Sequence, residues 1–435
     1  MSKRSRAAHS RNSVRWYLLI AALLLFFFFS NDFGLIDIQK TALVMAVGID
    51  RDEEGFVVTA QIAVPQSSAQ GKEAQAVQLE SRGETVGDAL EQINVKTGWY
   101  PKLVFCNLIV LGEEAVRRNV FDALDFFLRD EYMSDGCLVA ACEGSAGDLL
   151  DTATPIDPIS SVAAQKVLSR HASKVGTVAS VTLREFAIGY FSASRSGWLP
   201  VLKAESLQES SGGNGGNGSG EEQGQGSDQG QNQEQNAGAF TPTAAAGEES
   251  GSGSGSGKSG NGGGGTEQTF SAAQTLLFSE GVGRGILTPE ETFAFCIANG
   301  GLRLATYTTE SDGAAYTLNI KKSRASAKFR VDKNGVPRLV IRVKASAGLE
   351  STAFSQTVPE ISDTHPLPEE VLTDAENALS AQILEVFEKS RADGCDLFEV
   401  TEKLRKFEND YYSAYRDDIL GRVLPQVEVK ISALR

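Results

Sequence analysis

The sequence predicts an α+β protein: two globular halves, each a mixed or antiparallel sheet with flanking helices, behind one amino-terminal membrane-anchoring helix. Three subdomains are the alternative division. Three observations carry this reading. The chain has 435 residues, 41% of them hydrophobic, enough for real cores in two or three domains and too many for global disorder. Twenty of its 44 glycines fall between Ser211 and Gly265 and split the chain in two. On each side of that split, hairpin-like strand pairs occur with amphipathic helical stripes.

The amino terminus places the protein. Residues 1–15 hold Lys3, Arg4, Arg6, Arg11 and Arg15 and no acid, and read as a basic cytoplasmic tail. The rest of the chain has 36 basic against 56 acidic residues. A body that acidic has no basic stripe to neutralise phosphates, which excludes a nucleic-acid binder. Residues 16–29 (WYLLIAALLLFFFF) are uncharged, and residues 16–34 are expected to form a transmembrane anchor or uncleaved signal. No small-x-small cleavage site follows Phe29: Phe28 stands two before Ser30, and Asp32 two before Gly34. A retained anchor is favoured and a removed signal is the alternative. Both export the body.

The amino-terminal α+β domain is expected over residues 35–205. Residues 43–49 are a continuous apolar run, read as a buried strand. Residues 50–55 turn, and Phe56, Val58, Ala60, Ile62 and Val64 alternate as a second strand. Val86, Ala89, Leu90 and Ile93 form a helical stripe. Residues 103–111 (LVFCNLIVL) predict a third strand, residues 113–129 one helix with an acidic start and an Arg end, and residues 137–142 a strand. Helical segments near residues 146–151, 160–174 and 183–192 follow, and residues 198–203 close the half as a strand.

Residues 206–267 are expected to be a disordered Gly/Ser/Gln-rich linker, because they bury too little to offset their ordering entropy. The carboxyl-terminal α+β domain is expected over residues 268–435. Residues 273–279 and 284–287 read as strands joined by a tight turn. Thr288-Pro289-Glu290-Glu291 reads as a helix start with a capping box. Strand character returns at residues 302–308, 316–322, 326–331 and 338–345, with Asp332-Lys333-Asn334-Gly335 as the last turn. Pro368 opens a long helix with the stripe Val371, Leu372, Ala375, Leu379, Ile383, Val386 and Phe387. A shorter helix over 398–407 and a strand over 427–431 finish the chain.

No catalytic, cofactor-binding or metal residue is assigned. His9, His171 and His365 are scattered, so no nucleophilic triad has spacing support. Asp50-Arg51-Asp52-Glu53-Glu54-Gly55 matches the front of a calcium loop, but Gln61 stands where the bidentate Glu belongs. A solvated hairpin turn is the better reading. Residues 281–285 (GVGRG) lack the Lys of a phosphate loop and read as a strand-linking turn. Tyr411, Tyr412 and Tyr415 read as packing residues, with a partner contact as the alternative. Cys106, Cys137, Cys142, Cys296 and Cys395 read as buried core residues.

The order of these segments resembles the Ger(x)C family, the C subunit of spore germinant receptors. Residues 42–50 (ALVMAVGID) followed by FVVTAQIAVP resemble that family's start. So do LVFCNLIVLGEE from Leu103, the helix end before Asp130, LLFSEGVGRGIL ending at Leu287, and Asp393-Gly394-Cys395-Asp396-Leu397-Phe398. The resemblance implies a non-enzymatic subunit on the outer face of the spore inner membrane, working with integral-membrane A- and B-type subunits in nutrient-triggered germination. Two departures stand out. The family carries a lipid-modified Cys after its signal peptide, whereas Cys106 is the first cysteine here. The family joins its halves by a short connection, whereas a long insert lies here. If the strand at residues 198–203 pairs with one after Gln268, that insert is only a hairpin loop. An exported small-ligand-binding module is the alternative function, and a cell-wall hydrolase ranks last.

Overall fold

The computed structural model describes residues 16–26, 41–64, 75–152, 154–155, 157–206, 268–300, 302–333, 335–353 and 367–434. Helix α1 (residues 16–26) is exposed at every position. The remaining elements form two sheets with their helices, an α+β architecture.

The first sheet contains β1 (Thr41–Arg51), β2 (Phe56–Val64), β3 (Gln75–Gly83), β4 (Tyr100–Lys102), β5 (Leu108–Leu111), β6 (Leu138–Cys142), β7 (Ser196–Ser206), β8 (Gln268–Ser279) and β9 (Val282–Leu287). Its order is β3-β2-β1-β5-β6-β7-β8-β9, with β4 beside the start of β1. Strands β1, β5, β6 and β7 run parallel. Both wings are antiparallel. This explains why β1 and β5 read as unbroken apolar runs: a parallel strand is covered on both faces. The helices between these strands are α2 (Val86–Thr97), α3 (Glu113–Val116), α4 (Phe121–Arg129), α5 (Ala146–Leu150), α6 (Ser160–Val167), α7 (Arg170–Val175) and α8 (Leu183–Phe191). One core packs α2, α3, α4 and α8 against one face through residues such as Leu90, Leu124 and Phe186. A smaller core packs α5 and α6 against the other.

The second sheet follows α9 (Pro289–Asn299). It contains β10 (Ala305–Ser311), β11 (Ala314–Val331) and β12 (Pro337–Ala353), all antiparallel. After α10 (Glu369–Ala392), α11 (Val400–Phe407), α12 (Asn409–Tyr415) and α13 (Ile419–Arg422), strand β13 (Leu424–Ala433) joins β12 in parallel. Helix α10 buries Val371, Ala375, Leu379, Ile383, Val386 and Phe387, one stripe at three- and four-residue spacing. The Thr288 capping box is present: Thr288 Oγ1 accepts from Glu291 N and Glu291 Oε2 accepts from Thr288 N. Glu291 also pairs with Lys389 at 2.6 Å, which ties α9 to α10.

Several expected elements differ. The run 103–111 is not one strand. Cys106 N donates to Leu103 O at 2.8 Å, closing a 3-10 turn over Leu103–Phe105 before β5 begins. The helix expected over 113–129 breaks between α3 and α4. There Val120 N donates outward to Gly281 O, and Phe121 N donates to the Asn119 side chain. The strands expected at 316–322 and 326–331 are one strand, β11, with a register shift between Ile320 and Lys322. Strand β3 was not expected; Gln75, Gln78, Glu80 and Arg82 give it a polar edge composition. The conditional pairing does occur. β7 and β8 are antiparallel neighbours from Ser196↔Ser279 to Ser206↔Gln268. The first sheet therefore takes in residues on both sides of the long insert and ends at Leu287. Its last hairpin serves two cores. Leu276 and Phe278 sit in the first, Leu277 and Leu287 in the second.

Residues 207–267 thus link two adjacent strand ends. Closing ~60 residues instead of ~5 costs about 2 kcal/mol of chain entropy. Replacing residues 208–266 by a five-residue Gly/Ser turn is expected to keep the far-UV spectrum and raise stability by up to about 2 kcal/mol in urea titration.

Candidate functional site

One buried carboxylate cluster, one half-buried carboxylate site and one unburied helix stand out from ordinary packing. The larger cluster lies where the α8–β7 turn meets the start of α11. Asp396 and Glu402 are both buried. Asp396 accepts from Val400 N and Thr401 N, each at 2.7 Å, and so caps α11. The Ser194 hydroxyl donates to Asp396 Oδ2 at 2.7 Å. Asp396 N donates to the Ser196 hydroxyl at 2.9 Å. Glu402 completes the seam: Ala193 N donates to its Oε2 at 3.0 Å. Arg405 and Lys406 reach Glu402 Oε1 at 2.7 and 3.3 Å from the solvent side. Hydrogen bonds from Arg405 first, then from Ala193 N and Lys406, outweigh burial and pull Glu402 from 4.5 to about 2. The cluster joins segments some 200 residues apart in sequence.

Asp393, three residues earlier, lies against the β8–β9 hairpin. A Cβ on Gly285 would overlap its carboxylate, so any larger residue at that position requires the Asp393 side chain to shift. Its Oδ2 is buried without a hydrogen-bond partner, and burial raises its pKa despite nearby Lys389. The motif Asp393–Phe398 and the glycine turn 281–285, separate readings in the sequence, thus touch in the fold. Gly281 contributes its carbonyl to Val120 N at 2.9 Å.

The smaller cluster lies at the carboxyl-terminal ends of β1, β5 and β6. Asp50 accepts from Ser145 Oγ at 2.9 Å, Ala146 N at 2.8 Å and Gly147 N at 3.1 Å, capping α5. A Cβ on Gly112 would meet the same carboxylate. The ends of open parallel strands are where α/β sheets place ligands. Here the carboxylate of Asp50 already satisfies the α5 amides, and Gly48–Asp50 is a structural strand end.

The remaining sequence candidates are now located. Asp52 accepts from Glu54 N and Gly55 N, each at 2.9 Å, and pairs with Arg82 at 3.1 Å, a closed hairpin turn. Among the described residues no group of three or more His, Cys, Asp or Glu side chains could hold a metal. His171 lies in α7; His9 and His365 lie outside the described residues. Tyr411 and Tyr412 pack against the second core, and Tyr415 is 40% exposed with its ring 4.7 Å from that of Tyr411. Cys106, Cys137, Cys142 and Cys395 are buried, and Cys296 is half-buried. Burial pushes the Cys296 and Cys395 thiols up to about 12, so neither is a nucleophile at neutral pH. Sequence reasoning missed Ser194, Ser196 and Glu402. The one signal available for them was Asp396, placed like a helix cap before Val400-Thr401.

Helix α1 is the third feature. Trp16, Leu18, Leu19, Leu23, Leu24 and Phe26 are all more than half exposed, so the helix is apolar all round and buried against nothing described. Among the described residues no helix is long and apolar enough to cross a membrane. The apolar run continues in sequence to Phe29, outside the described residues.

Comparison with known proteins follows the same layout. A family model described as "Spore germination protein N-terminal domain" matches residues 35–204. A second, "Spore germination B3/ GerAC like, C-terminal", matches residues 273–433. Spore germination protein B3 of Bacillus subtilis (strain 168) is 27% identical over 153 residues, 34% of this chain. That match spans only 38% of the relative's own length. The crystal structure of the GerBC protein is similar with a TM-score of 0.46 and 15% identity, over 89% of this chain and 97% of that one.

The Asp396–Glu402 cluster yields two expectations. Asp396→Ala removes the acceptor of two helix amides and of the half-buried Ser194 hydroxyl and should cost about 2–4 kcal/mol by denaturant titration. Glu402 contributes stability that is full above its ordinary pKa of 4.5 and is lost as pH falls toward about 2. Glu402→Gln should therefore be less stable than the parent at pH 7 and show a flatter loss of stability between those two pH values.

Proposed function

This chain belongs to the Ger(x)C family of spore germination proteins, and on that premise we propose that it is the extracytoplasmic C subunit of a germinant-receptor-type complex, held at the membrane by its amino-terminal helix. The observation that carries the anchor is α1, an apolar helix with every residue exposed. Eleven helical residues reach ~16 Å, about half of a bilayer core, and the apolar sequence beyond Phe26 supplies further length. Five cations before Trp16 favour a cytoplasmic amino terminus and an exported body. In this reading the helix takes the place of a lipid-modified cysteine. The body lies on the outer face of the spore inner membrane, beside integral-membrane A- and B-type subunits.

The subunit's role is structural and non-catalytic. The carboxylates best placed for chemistry, the half-buried Asp50 and the buried Asp396 and Glu402, all accept backbone amides. A carboxylate fixed in that way caps helices and is a poor proton carrier. The acidic body also favours contact with partners through shape and local polar pairing over binding of polyanions.

The anchor is tested by fractionation. The full chain should remain in the membrane pellet after alkaline carbonate washing, and a chain lacking residues 1–34 should be released. Intact mass should show residues 16–34 present and no acyl group. Co-purification with two integral membrane proteins from detergent extracts is expected, and its absence would contradict the complex.

A further inference from the structure

The four parallel strands give the first sheet two chemically unlike edges. At the carboxyl-terminal edge stand Asp50, Glu113, Glu143 and Asp148, beside the Cys142 thiol, which is raised first by burial and then by their fields. The amino-terminal edge carries exposed aromatic and aliphatic side chains among paired charges. Tyr100 is registered beside Thr41, the first residue of β1. Trp99, Tyr100, Val104 and Phe105 are each more than 40% exposed. The 3-10 turn that interrupts the expected third strand is what turns Val104 and Phe105 outward. Tyr132, in the loop before β6, is exposed, and Lys102 Nζ lies 4.8 Å from its ring centre and 5.8 Å from that of Tyr100. Across Asp130 and Met133 the same edge continues into a cleft lined by Leu128, Ile188 and Phe191, at the end of α8 that leads into β7. Ile188 and Phe191 are 59% and 72% exposed.

We propose that this edge, Trp99, Tyr100, Phe105, Tyr132, Ile188 and Phe191, seats in the interfacial layer of the lipid bilayer. The inference rests on the anchor reading above. Its occupant follows from chain geometry. Residues 27–40 join α1 to Thr41, and fourteen residues span at most ~50 Å. The edge at which the chain enters the sheet is thus the edge that the anchor holds near the membrane. Exposed Trp and Tyr with a neighbouring Lys are the composition of a membrane interface. The surface is not a charge-driven one. Lys96 and Lys102 are accompanied by Asp130 and Glu131, while Asp125 and Asp135 are paired with Arg129 and Arg184. Apolar partition therefore drives the contact, and the acidic edge points away from the lipid.

The test uses the full chain carrying Trp16→Phe and Trp198→Phe, so that Trp99 is the one tryptophan, reconstituted in phosphatidylcholine vesicles. Brominated lipid in place of ordinary lipid should quench about half of the Trp99 emission, as expected for an interfacial indole. Adding phosphatidylglycerol should not increase the quenching. Phe105→Glu with Phe191→Glu should reduce it about twofold or more while the chain still floats with the vesicles, because both side chains are exposed. Vesicle flotation with unquenched, acrylamide-accessible Trp99 would overturn this surface and leave the anchor intact. Trp99 shielded from acrylamide yet unquenched by bromolipid would assign the edge to a protein partner and overturn it as well. A chain that does not float would overturn the anchor reading and the surface together.

Discussion

The antiparallel pairing of β7 with β8 holds the parts of the chain on either side of the insert in one hydrogen-bonded sheet. It closes the first sheet, and it brings the chain back to that sheet after residues 207–267. β8 then distributes its side chains among the cores. Phe270 and Ala272 enter the small core, Leu276 and Phe278 the first, and Leu277 the second. A strand shared in this way prevents either sheet from forming its complete core alone. The family models end at residue 204 and begin again at residue 273, but the hydrogen-bonded sheet does not break there. The Asp396–Glu402 cluster secures the same union from the other side. Its polar groups are buried and satisfied by partners on both segments, so separating them would leave several unmet amides and carboxylates.

That union leaves its polar groups engaged in structure. Asp50 and Asp396 cap α5 and α11, and Glu402 holds Ala193 N. What remains available for contact is surface. The first sheet presents an aromatic edge where the chain enters from α1 and an acidic edge opposite.

Much of this architecture was legible in the sequence, because local chemistry determined it. The period-two residues from Phe56 to Val64, the capping box at Thr288 and Glu291, and the stripe from Val371 to Phe387 each depend on neighbours within one turn or one strand. The errors came where a distant partner decides. The run 103–111 is equally apolar as a strand or as turn plus strand; the choice lies with Met45 O, which accepts from Asn107 N at 3.0 Å. The break after α3 depends on Gly281, more than 150 residues away. The pairing of β8 with β7 across the insert, which the sequence offered only as a condition, is likewise decided by contacts remote in sequence. Asp396 carried a weak capping signal, but nothing near Ser194 or Glu402 marks them as partners.

The two sheets, sharing β8, should unfold as one cooperative body. Differential scanning calorimetry of the full chain in detergent should show one transition, with calorimetric and van't Hoff enthalpies equal. Two resolved transitions, one retained after the other half has unfolded, would contradict it.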